Sequence, residues 1–187
     1  MRGDIQGALA DYRAALEADP AAAYPRFNTV TARLAMGDLE GAVDEYPRAL
    51  DAALHLGQNG EGVIVECLSE NWEALFACGH QPHWSRFLES SLRLLQERSV
   101  LHCAERALPL TVFALIRRFR TGGFGRMEQV IEHLGRDVAP FMDVSVAQRF
   151  LQVAIAHFKE HDPKALLRLP REERRVFTRE LGLTEGT

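Results

Sequence analysis

Long apolar runs are missing from this chain. The longest nearly apolar stretch, Ala107 to Ile116, covers only ten residues and contains Pro109. A helix needs roughly 20 such residues to cross a bilayer, so no membrane partner is expected. Cysteine is scarce as well. Cys67, Cys78 and Cys103 form an odd set without framework spacing, which predicts reduced thiols in a cytoplasm rather than a disulfide scaffold. Neither sign of charge dominates: the formal charge is −4, the pI is near 6.0 and the 26% of charged residues mix both signs. No global field therefore selects nucleic acid or an anionic membrane, and any basic site has to be local. At the start, Met1-Arg2-Gly3-Asp4 leads into an amphipathic stretch rather than an apolar one. That is not the pattern of a secretory signal, and a cytoplasmic location is expected.

Strand signals are absent too, with no hairpin pair and no sustained period-two run. A nucleophile elbow, a phosphate loop, a dinucleotide fingerprint and paired carboxylates in a glycine-rich setting are likewise not found in the sequence. The expectation is a non-catalytic protein without a cofactor or a resident metal.

What the chain does contain is an internal repeat. Gly3, Asp4, Ile5, Gly7, Ala8, Leu9, Tyr12, Ala15 and Leu16 recur as Gly37, Asp38, Leu39, Gly41, Ala42, Val43, Tyr46, Ala49 and Leu50, every pair offset by 34. In both copies the apolar residues fall at steps of three, four and seven, one face of a helix. The small alanines admit a close neighbour, and the tyrosines fill the groove beside them. A fixed period of this length is the signature of stacked helix pairs.

The segment resembles the tetratricopeptide repeat, specifically its Gly-Asp turn and second helix, with Pro20 where that family ends the helix with proline. Within Tyr24 to Met36, Arg26, Thr29-Val30 and Arg33 stand where the family carries Trp, Leu-Gly and Tyr, and Pro47 lies inside the next helix. The resemblance implies an all-α fold, a tetratricopeptide-like α-solenoid of antiparallel helix pairs forming a right-handed superhelix or a compact helical array. Residues 1–56 would be the recognisable repeats and 57–187 degenerate helix pairs continuous with them, like the loose arrays in bacterial regulatory proteins.

Those later pairs follow from periodicity. Ile64, Leu68, Trp72, Leu75 and Phe76 share one face, as do Trp84, Phe87, Leu88, Ser91, Leu92 and Leu95. Leu101 to Phe119 and Met127 to Leu134 make another pair, and turn glycines step from Gly37 to Gly79 to Gly123 at intervals of 42 and 44. Ser145 reads as an N-cap for a helix through His157, and Pro170 opens the last helix.

Gly3-Asp4 belongs to the middle of a repeat, so the helix over residues 5–16 lacks its usual first-helix partner. A preceding helix of a longer array, a second copy forming a homodimer through residues 5–16, or packing on the helices that follow would each cover its apolar face.

In the family the inward face of the first helix meets the partner. Carried over by the period, that face is Tyr24, Phe27, Asn28, Thr31 and Leu34, with Arg33 near its edge. The resemblance thus implies a scaffold or docking arm that holds a peptide or protein, with Tyr24 and Phe27 as apolar anchors and Asn28 and Arg33 for its backbone or an acidic group. Phe27 and Leu34 can equally serve packing between helices.

Two other chemistries compete. Arg117-Arg118-Phe119-Arg120 through Arg126 is the densest basic and aromatic stretch and could meet the phosphates of a nucleic acid, although arginines in a last turn followed by glycines also describe a helix stop. Cys78, His80 and His83, with His102 and Cys103 near, offer zinc-type ligands for a metal-dependent enzyme but match no structural-zinc spacing. His157 and His161 have the spacing to share one helix face, without the His-Glu-x-x-His order of a zinc hydrolase.

Overall fold

The computed structural model describes residues 4–78 and 84–183, and among them it contains helices and no strand. The chain divides into two compact units, residues 1–107 and 108–187.

The first unit holds α1 (Ile5–Ala18), α2 (Ala23–Met36), α3 (Leu39–Leu54), a short 3-10 turn (Gly57–Asn59), α4 (Gly60–Ala77) and α5 (Trp84–Glu97). It also includes the start of α6 (His102–Phe119), within which the division falls. The 34-residue period reappears as chemistry at two helix starts. Asp4 caps α1 by accepting a hydrogen bond from the Gly7 amide at 2.8 Å, and Asp38 caps α3 by accepting from the Gly41 amide at 3.1 Å. Each carboxylate satisfies one of the donors that a helix start leaves open.

Between α2 and α3 the chain reverses at Gly37, whose φ of 78° is a left-handed conformation suited to glycine. Its amide bonds to Leu34 and the Asp38 amide reaches back to Arg33, closing the end of α2. The loop is only two residues long, which makes the two helices antiparallel neighbours.

Packing follows. α2 lies against α1, α3 and α4, while α3 lies against α2, α4 and α5. At the centre the Tyr46 ring meets Phe27 and Phe87 edge-on, with centroids 5.9 and 5.6 Å apart. Phe76 and Trp84 form a second edge-on pair at 5.1 Å. All five rings are buried. Pro47 does not interrupt α3, which runs unbroken to Leu54.

The second unit holds the rest of α6, then α7 (Phe124–His133), a π-helical turn (Leu134–Val138), α8 (Ser145–Phe158), a 3-10 turn (Ala165–Arg168) and α9 (Arg171–Leu181). Phe113, Phe150 and Phe177 form its aromatic centre, with centroids 5.2 to 6.3 Å apart. Two local expectations change here. Ser145 is the first residue of α8 rather than its cap: the Asp143 carboxylate accepts its amide at 2.8 Å, which holds the Asp143 carboxyl below its ordinary value. His161 does not share a helix face with His157, because α8 ends at Phe158 and His161 follows with a φ of 53°.

Candidate functional site

The six residues marked by the repeat sit on α2, and packing treats them differently. Phe27 and Leu34 are fully buried, since α2 has neighbours on three sides and its apolar stripe is correspondingly wide. Tyr24 is 47% exposed and its hydroxyl donates to the Glu66 carboxylate of α4 at 3.1 Å. Asn28 and Thr31 are half-buried on the same side.

Thr31 is tied inward. Its hydroxyl accepts from the Asn71 amide of α4 at 2.7 Å and donates to the Phe27 carbonyl at 3.2 Å. Asn71 is fully buried, so this link fastens α2 to α4 out of water, where such a bond counts most. Arg33 points elsewhere. It pairs with Asp38 at 2.5 Å across the α2–α3 turn, and a Cβ at Gly41 would fall 1.9 Å from its guanidinium, so the repeated glycine makes room for that pair.

Tyr24 therefore meets an α4 carboxylate, Glu66, which belongs to an acidic run on that helix. Glu66 and Glu70 are both exposed, with Glu73 half-buried one turn on. Partial burial first, and then the charges of Glu66 and Glu73, push the Glu70 carboxyl above its ordinary value. The hydrogen bond to Glu66 and the charge on that carboxylate likewise push the Tyr24 phenol up. Among the described residues no basic side chain pairs with Glu66 or Glu70. Their spacing of four, with Glu73 three further, is legible as an acidic stripe on α4. Its meeting with Tyr24 is not legible, because it depends on α2 packing against α4.

This crowding gives a measurable consequence. A raised folded value means that the ionised Glu70 opposes folding: the cost is absent below the unfolded carboxyl value and grows as pH rises through the folded one. Glu70→Gln is expected to stabilise the chain at neutral pH by less than about 1 kcal/mol, solvent screening limiting the effect. Thermal melts at neutral and acid pH check the sign, since the gain disappears once the carboxyl is protonated in both states.

Arg117 donates to the Glu180 carbonyl at 3.1 Å and Arg120 to the Leu181 carbonyl at 3.5 Å, both at the C-terminal end of α9. Two of the arginines thus complement a helix dipole. His80 and His83 lie outside the described residues, and the Cys78 thiol donates to the Leu75 carbonyl at 3.0 Å. Cys67 is buried, and burial first, then Glu70 and Glu66, push its thiol up to about 12, which disfavours the thiolate form.

Elsewhere, an apolar groove of about 200 Å³ between α3 and α5 is lined by Val43, Tyr46, Pro47, Phe87 and Leu94, with Arg93 and Glu97 on its rim. Among the described residues no helix is long and apolar enough to cross a membrane. These features define an all-helical protein. Comparison with protein-family models, curated proteins and solved structures finds no match.

Proposed function

We propose that this chain is a non-catalytic, tetratricopeptide-like interaction module that holds a cationic segment of a partner protein on the face shared by α2 and α4. Tyr24 supplies an exposed aromatic surface, Glu66 and Glu70 supply the charge, and Asn28 supplies an amide for the partner's backbone.

The observation that carries this reading is an exposed tyrosine beside like charges that no cation of the described chain neutralises. A lysine or arginine next to an apolar residue relieves the repulsion at Glu70 and stacks on Tyr24. The helix arrangement supports the repeat assignment: α2 packs on α4 and α3 on α5, first helix on first and second on second, as stacked pairs require. Identical Asp caps 34 residues apart support it too. The charge of the expected partner is the reverse of the one first assigned to Arg33, because that side chain is already paired with Asp38.

Selection of random displayed peptides on the immobilised chain tests the proposal. Enriched peptides are expected to carry Lys or Arg beside an apolar residue. They should lose at least about tenfold in affinity, ~1.4 kcal/mol, to a Tyr24→Ala, Glu66→Gln, Glu70→Gln triple variant, and weaken with added salt. Peptides that bind the folded variant as tightly as the parent would refute the site.

A further inference from the structure

We propose that Glu61, His102 and Cys103 form a binding site for a borderline-soft divalent cation of the zinc type. The site goes beyond the peptide-binding reading and shares no residue with it. Glu61 lies in the first turn of α4, and His102 and Cys103 open α6. Glu61 and Cys103 are separated by 42 positions in sequence, so only the packing of the two helix starts brings them together.

The geometry suits a metal. One ligand atom from each residue lies within 4.8 Å of the others. His102 Nε2 is 3.0 Å from Glu61 Oε2 and 3.7 Å from Cys103 Sγ. Tetrahedral zinc, with bonds of about 2.0 to 2.3 Å, separates its nitrogen and oxygen ligands by roughly 3.4 Å and its nitrogen and sulfur ligands by roughly 3.6 Å. Small side-chain rotations therefore close the cage.

Charge and access agree with this geometry. A thiolate and a carboxylate balance a dication, and an imidazole adds a neutral ligand of the preferred type. Cys103 is fully buried, whereas Glu61 and His102 are about half exposed, leaving a route for the ion and an open fourth position for water. Coordination replaces the thiol proton with the ion, so each bound ion releases that proton to solvent. Arg106, 3.6 Å from Glu61 Oε2 and mostly exposed, is the competing cation and has solvent into which to swing.

Cobalt(II) titration of the chelator-treated full chain tests the site. A thiolate-to-cobalt charge-transfer band should appear, vanish in Cys103→Ser, persist in Cys67→Ser and Cys78→Ser, and be displaced by zinc. His102→Ala and Glu61→Gln, both at half-exposed positions, should each weaken zinc binding at least about tenfold. Zinc should also raise the melting temperature of the parent more than that of either variant, because a ligand held by the folded state alone stabilises it. The absence of a band, a band that survives Cys103→Ser, or its loss in Cys78→Ser instead would overturn the assignment. If Cys103→Ser does not fold, unchanged zinc affinity in the other two variants would do so.

Discussion

Phe27→Ala is expected to destabilise the first unit by about 3–5 kcal/mol, the usual cost of truncating a buried aromatic ring. The ring is fully buried, and its contact with Tyr46 leads on to Phe87, so deletion removes its own burial and loosens two neighbouring rings. Tyr46→Phe makes a useful contrast. The Tyr46 hydroxyl is buried and has no hydrogen-bond partner among the described residues, and a stranded polar group of this kind costs about 1–3 kcal/mol. Removing only that oxygen is expected to leave stability unchanged or raise it. Hydrogen exchange of α2 and α3, together with denaturant midpoints, measures both. Were Phe27 a surface anchor, its truncation would change stability by less than about 0.5 kcal/mol.

The second large effect lies in the other unit. Asp137→Ala is expected to cost about 1–3 kcal/mol, as leaving a buried hydrogen-bonding group without its partner does. Asp137 lies in the π-helical turn after α7, where its carboxylate accepts from His133 Nδ1 at 2.6 Å, the two side chains being 9% and 8% exposed. Arg136 holds the other oxygen at 2.9 Å but is 61% exposed. Arg136→Ala should therefore cost no more than about 1 kcal/mol. Midpoint shifts at an unchanged denaturant slope would separate these losses from a change in compactness. Equal losses for the two variants would contradict this division between a buried pair and a surface one.

The helical class and most helix ends were legible because they depend on local chemistry. Asp4 and Asp38 cap through amides three residues ahead, and Gly37 ends α2 by its own conformation. The fate of Phe27 and Leu34 was not legible, since periodicity marks an apolar face without saying how many neighbours cover it. Arg33 looked available because its partner lies beyond the turn, and the turn geometry decides that pairing. The acidic stripe of α4 was visible in the spacing of Glu66, Glu70 and Glu73, but its position beside Tyr24 depends on packing between helices distant in sequence. The same holds for Glu61 beside His102 and Cys103. Asp143 displaced Ser145 as the group that satisfies the start of α8 because a carboxylate two residues upstream reaches that amide.

The most direct test of the proposed interaction face is amide chemical-shift mapping of the isotopically labelled chain with one selected cationic peptide. The largest changes are expected at Asn28, Thr31, Glu66 and Glu70, and they should be lost in the Tyr24→Ala, Glu66→Gln, Glu70→Gln variant. Changes confined to the α3–α5 groove, or to Arg117 through Arg126, would contradict it.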